Sequence, residues 1–339
     1  MVSLPTVQSS NALIDSSLGA GLVAVFAGGT NGIGETTLRQ FAKHTIKPRI
    51  YFIGRSQEAG DRITAELKAL NPEGQYQFIQ KDTSLIRNVD EVCKYIKEKE
   101  AWVNLLVLST GTLVRDTETS ENLNVAASLI HYSRHRFALN LLPLLQAAPS
   151  LRRVVSVAVA TKEGPVDTTD FQCRNSTQGL LALRGHAASQ ITLSLEALAK
   201  KAPDVSFVHG FPGPVKSGIG RGTTGLAMAL MKGVFLVLGL FMSMPLVEVG
   251  ERHLWLCTSA VYPARVGGKD GIPAPKGIEV AKGTDGESGS GVYTVDKHGD
   301  SAGQQVVELL GKLRKEGVDE LVWRDVESEF KRITGVDAI

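Results

Sequence analysis

AGGTNGIG, residues 27 to 34, follows a short apolar run, LVAVFAGG at 22 to 29, and opens a helical pattern that continues to about His44. An apolar run that stops at glycines reads as a strand buried on both faces. A glycine turn between such a strand and a helix lets backbone N–H groups approach a pyrophosphate, and the helix dipole favours its charge. The spacing Gly28, Gly32, Gly34 differs from the GxGxxG fingerprint, but the strand–turn–helix context is the one that a dinucleotide site requires. Gly28, Thr30, Asn31, Gly32, Ile33 and Gly34 are therefore the first candidate cofactor contacts.

Outward from this turn, strands and helices alternate. RIYFIGR (49–55), QYQFIQKD (75–82), NLLVLSTG (104–111), RRVVSVAVA (152–160) and VSFVHGFPG (205–213) read as strands. Residues 56–70, 85–100, about 120–146 and about 180–201 carry helical spacing between them, and GVYTVD (291–296) reads as a last strand. Alternation of this kind predicts an α/β fold: a Rossmann-type, doubly wound parallel sheet in three layers. The expected organisation is a polar N-terminal tail over 1–19, one dinucleotide-binding domain over 20–300, and a helical C-terminal extension over 301–339 with its joint at Gly317. Residues 264–290, rich in Gly, Pro and charge, read as a surface loop.

Lys+Arg is 37 and Asp+Glu is 35, which leaves no basic stripe for nucleic acid. Cys93, Cys173 and Cys257 form no CxxC pair, so neither a disulfide framework nor a cysteine zinc site is expected. His131 and His135 have i, i+4 spacing but no HExxH context and no third ligand, so no metal is expected. The N-terminus has no secretory pattern, and a cytoplasmic chain is expected. The apolar segment 226–247 is interrupted by Lys232. The uncharged run after it, Gly233 to Val247, is 15 residues, short of the roughly 20 that a spanning helix needs. The segment reads as a substrate lid, with weak contact to a membrane surface as the alternative.

The glycine turn and several later segments resemble the short-chain dehydrogenase/reductase family, whose motif TGxxxGxG is matched here except that Ala27 replaces the threonine. KDTSL (81–85) resembles the family's adenine segment and assigns Asp82. LSTG (108–111) stands where Asn-Asn-Ala-Gly is usual and assigns Ser109 and Gly111. FPGPVKSG (211–218) resembles the segment bordering the nicotinamide and assigns Pro212, Gly213 and Val215. The resemblance is strongest to fungal members found in biosynthetic gene clusters. It implies a homodimer formed through the long fourth and fifth helices. The second strand ends at Gly54-Arg55-Ser56, with no carboxylate for a ribose 2′-hydroxyl. Arg55 can pair with a 2′-phosphate, and the expected cofactor is NADP(H).

The family's catalytic groups are missing. No tyrosine lies between 133 and 261, and no lysine between 163 and 199. The tyrosine position falls near Arg184, the lysine near Ala188, the serine at Ala158 or Val159, and the relay asparagine near Ile130. His186, Lys162 and Tyr132 are the candidates to replace the proton donor, each with a packed or solvated side chain as the alternative reading. The expected function is an NADP(H)-dependent oxidoreductase acting on a bulky apolar ketone or alcohol in secondary metabolism. The alternatives are a redox-neutral cyclase or isomerase on the same scaffold and a cofactor-binding protein without catalysis.

Overall fold

The computed structural model describes residues 1–175, 178–215, 218–220, 244–267 and 270–339. Most of the expected lid, 226–243, lies outside the described residues. In chain order the helices are α1 (Leu4–Asn11), α2 (Ile14–Ser17), α3 (Gly32–His44), α4 (Gln57–Leu70), α5 (Ile86–Lys99), α6 (Val125–Ala127), α7 (Ser133–Gln146), α8 (Leu180–Lys201), α9 (Leu246–Thr258), α10 (Gln304–Lys315) and α11 (Val318–Thr334). A π-helical turn, Ser128–Tyr132, joins α6 to α7. The strands are β1 (Val23–Ala27), β2 (Arg49–Gly54), β3 (Gln75–Gln80), β4 (Leu105–Leu108), β5 (Arg153–Val157), β6 (Ser206–Gly210) and β7 (Val292–Val295).

They form one parallel sheet in the order β3-β2-β1-β4-β5-β6-β7. All five residues of β1 are buried, because its alternating side chains enter two cores. Ala24 and Phe26 pack with Leu38, Phe41 and Trp255 on one side of the sheet. Val23, Val25 and Ala27 pack with Val89, Phe137, Leu141 and Ile191 on the other. The strand order reverses between β1 and β4, which opens a crevice at their carboxyl ends.

The termini are both docked. The expected polar tail contains helix α1, capped by Ser3 and carrying buried Val7, with buried Ile14 following in α2. Its Asn11 donates to the Glu251 side chain on α9 at 2.6 Å, so the tail is part of the packed body. At the other end, Gly317 (φ +72°) joins α10 to α11 as the sequence predicts. Leu310, Leu313, Val318 and Val322 cover Leu193 of α8. Val326, Phe330 and Ile333 of α11 cover Ile86, Leu123 and Tyr132. The 264–290 segment is irregular but anchored, through a bridge from Ile272 to Ser259 and another from Lys282 to Ser288. Among the described residues no helix is long and apolar enough to cross a membrane.

Candidate functional site

The glycine turn is built by close approach. A Cβ on Gly34 would lie 2.3 Å from Ser109 Oγ and 2.4 Å from the Gly28 carbonyl oxygen, so the first turn of α3 presses against both β1 and β4. Gly28 has φ +91°, and its Cβ would meet the Thr110 nitrogen at 2.8 Å. A Cβ on Gly54 would reach Thr30 at 2.4 Å, which holds the turn against the end of β2. Ser109 Oγ lies 3.2 Å from the carbonyls of Ala27 and Gly28 and ties β4 to the loop. Asn31 caps α3 without a side-chain hydrogen bond, so no side chain of the cap occupies the N–H groups of the first turn. Ile33 packs on the core beneath.

Around this turn stand the other candidates. Arg55 is exposed and has no ion-pair partner among the described residues. The Asp82 carboxylate accepts the Ser84 N–H at 2.9 Å. Gly111 lies against Ile130, whose Cγ2 is 3.4 Å from where a Cβ would sit, and beneath Ile219. Pro212 is buried and Val215 half-buried. Gly213 has φ +75° and is overlaid by the Lys297 chain.

The three proposed proton donors fare differently. The Tyr132 hydroxyl donates to Asp325 Oδ2 of α11 at 2.7 Å, and burial pushes its phenol well above the usual range. The structure thus spends Tyr132 on docking the extension rather than bringing it to the crevice. His186 is buried, and its Nδ1 accepts the Asp167 N–H at 3.1 Å while Nε2 lies 3.2 Å from the Phe171 carbonyl. An amide donor at Nδ1 places the ring proton on Nε2, so both nitrogens are engaged with the 164–171 loop. His186 thus braces that loop through both ring nitrogens. Lys162 is exposed at the end of β5, with its ammonium 6.0 Å from the centroid of Phe211.

Beneath the crevice lies a buried polar layer that the sequence reading missed. Arg134, one turn after Ile130, is 2% exposed. Its guanidinium donates to Ser156 Oγ and the Val157 carbonyl at 2.9 Å each, and to the Thr110 carbonyl, with no carboxylate partner among the described residues. Burial pushes it down to about 9, so it remains a cation at neutral pH. The π turn just before it supplies the Leu129 carbonyl at 3.3 Å. Two arginines in SRHRFALNLL, leading into Phe137, Leu139, Leu141 and Leu142, were the available signal: charges on the inner face of a helix need interior partners. Glu163 turns inward, accepting from Thr192 at 2.8 Å and Thr294 at 2.6 Å, and burial pushes its carboxyl up. With the Thr192 hydrogen given to Glu163, His209 Nδ1 donates to Thr192 Oγ1 at 2.9 Å.

The buried histidines predict acid lability. Burial pushes His135 and His253 down to about 4 and His209 to about 3. These groups are held neutral in the fold and bind protons once unfolded. Stability is therefore present above the unfolded histidine range and is lost as pH falls towards the folded values. Three such groups give a slope of up to about 4 kcal/mol per pH unit near pH 5. Glu163 and Glu196, raised by burial, oppose it by taking protons in the folded state. Urea unfolding at pH values from about 7 to 4.5 is expected to show a steep loss below about 6. A flat profile would contradict the buried, neutral histidines.

Comparison with known proteins places these features in context. A family model described as short chain dehydrogenase matches residues 22–149. An oxidoreductase of Emericella nidulans is 39% identical over 97% of this chain and 98% of its own. The oxidoreductase andH of Emericella variicolor is 34% identical over 99% of this chain and 98% of its own. A short-chain dehydrogenase/reductase of Stachybotrys chartarum is 28% identical over 94% of this chain and 95% of its own. Among solved structures, the Pseudomonas aeruginosa RhlG/NADP active-site complex superposes with a TM-score of 0.53, at 20% identity over 76% of this chain and 96% of that one. The L-sorbose reductase of Gluconobacter frateurii, complexed with NADPH and L-sorbose, gives 0.52 at 16% identity over 76% and 97%. These structural likenesses show a shared fold.

Proposed function

This chain belongs to the short-chain dehydrogenase/reductase family, and on that premise we propose that it is a cytoplasmic NADP(H)-dependent oxidoreductase of a bulky apolar ketone or alcohol in secondary metabolism. The observation that carries the reading is the turn at Gly28 and Gly34, closed so tightly on Ser109 that no Cβ fits, with Arg55, which has no ion-pair partner among the described residues, at the end of β2. The residues present fit such a cofactor: uncapped N–H groups for a pyrophosphate, a free guanidinium for a 2′-phosphate, and a half-buried carboxylate, Asp82, for the adenine side. When bound, NADPH supplies the hydride. Gly28 to Gly34 would hold the pyrophosphate. Ser109, Gly111, Pro212, Gly213 and Val215 would border the nicotinamide, and the Arg134 cation lies behind them. The fungal oxidoreductases that match nearly the whole chain support the reaction class. A homodimer would have to use surface outside the part of α8 that α10 and α11 cover.

Arg55→Ala is expected to weaken NADPH binding by about 10- to 100-fold, the worth of one charge-assisted contact, and to leave NADH nearly unchanged. Titration followed by nicotinamide fluorescence measures both. Equal losses for the two cofactors would remove Arg55 as the phosphate partner, and no binding of either would remove the oxidoreductase reading.

The engagement of His186 and Tyr132 favours a second reading, a redox-neutral cyclase or isomerase that retains the fold. Product formation with the absorbance of bound NADPH unchanged would establish that reading over the first.

A further inference from the structure

Two cations contact one ring at the carboxyl edge of the sheet. Lys162 Nζ lies 6.0 Å, and Arg184 Cζ 4.9 Å, from the centroid of Phe211. They come from different elements. Lys162 follows β5, Phe211 follows the neighbouring β6, and Arg184 is in the first turns of α8. Two glycines hold them together. The Gly164 N–H donates to the Gly185 carbonyl at 3.0 Å, and a Cβ on Gly185 would lie 3.0 Å from Gly164 Cα and 3.4 Å from the Lys162 carbonyl oxygen. Neither cation has a carboxylate partner among the described residues. The adjacent acid, Glu163, is turned into the interior by Thr192 and Thr294. Each cation is thus held at the ring by a cation–π contact, and neither is neutralised by a described carboxylate. A bound anion would supply the missing counterion.

We propose that Lys162 and Arg184, gathered over Phe211, bind a carboxylate carried by the substrate. The guanidinium supplies a planar fork that matches the two carboxylate oxygens, and the ammonium a mobile point charge. Phe211 supplies an apolar face for the carbon skeleton next to the acid group. The substrate is then acidic at one end, and its orientation in the crevice is set by that end. This deepens the oxidoreductase reading and rests on it for the site's place beside the nicotinamide.

The test is calorimetric titration of the full chain with 2-naphthoate and with the neutral isostere 2-naphthamide, each with and without NADPH. The acid is expected to bind about tenfold or more tighter than the amide, and less tightly as salt rises. Lys162→Gln and Arg184→Gln are each expected to weaken the acid about tenfold and leave the amide unchanged. Arg184→Lys, which keeps the charge and loses the fork, is expected to fall between. Acid and amide bound equally, or neither bound, would overturn the proposal. So would substitutions that weaken both ligands alike, or that weaken NADPH instead of the acid. A chain that prefers the acid but binds no NADPH would uphold the anion site and overturn the cofactor reading. A chain that binds NADPH without preferring the acid would do the reverse.

Discussion

Gly34→Ala is expected to abolish cofactor binding, with the loss of NADPH affinity at least about 100-fold, while most of the fold survives. The new methyl would sit 2.3 Å from Ser109 Oγ and 2.4 Å from the Gly28 carbonyl oxygen. Ser109 has a short side chain and could rotate, but the carbonyl is backbone, so the turn itself must open. Overpacking of this kind costs about 1–3 kcal/mol of stability. The larger effect falls on binding, because N–H groups directed at a pyrophosphate lose their convergence when the turn shifts. Gly303→Ala is the control: its Cβ would meet nothing within 4 Å, and the change is expected to fall within about 0.5 kcal/mol. Fluorescence titration and thermal unfolding of both variants separate the two effects. Normal NADPH binding by Gly34→Ala would refute the role given to the turn.

Arg136→Ala is expected to cost about 3–5 kcal/mol of folding stability, because it strips the partner from a half-buried carboxylate. Arg136 is fully buried on α7 and meets Asp90 of α5 through Nε at 2.6 Å and Nη2 at 2.7 Å. The same guanidinium donates to the Val336 carbonyl at 3.1 Å and the Asp337 carbonyl at 2.5 Å, and stands 4.9 Å from the Phe330 ring centroid. Without it, Asn140 is the remaining side-chain donor to Asp90. Urea unfolding should show the loss, and limited proteolysis should cut the chain beyond about residue 330 first. Arg136→Lys, which retains the charge but cannot bridge both sites, is expected to lie between. A cost below about 1 kcal/mol would show that α11 is held without help from the Arg136–Asp90 pair.

The sheet was legible because its signals are local. Apolar runs such as Val23–Ala27 must be buried on both faces, and glycines placed at strand ends admit one kind of turn. Gly317 marked the joint between α10 and α11 for the same reason. The N-terminal segment was not legible as structure. Val7 stands among polar residues and Ile14 beside Ala12 and an exposed Leu13, and only the partner surface on α9 makes the two a face. The site was legible where backbone geometry dictates residue type, and obscure where a side chain had a choice of partners. Tyr132 could face either the crevice or α11, and the sequence contains no local preference between them. His186 is similar, since its two partners are backbone atoms of a loop whose path depends on the Gly164–Gly185 contact. Arg134 was obscured for the opposite reason: its partners are mostly carbonyl oxygens, which every sequence possesses.

The position of Arg136 also has a meaning in time. Its carbonyl partner on Val336 lies 200 residues further along the chain. At roughly 5–20 residues per second of synthesis, about 10–40 s separate the two. During that interval β5 to β7 emerge and can pair with β1 to β4, while the apolar face of α7 and α8 awaits the helices that will cover it. Helices α10 and α11 therefore close the fold late, and a nascent chain halted before them would present to chaperones a finished sheet with an open flank.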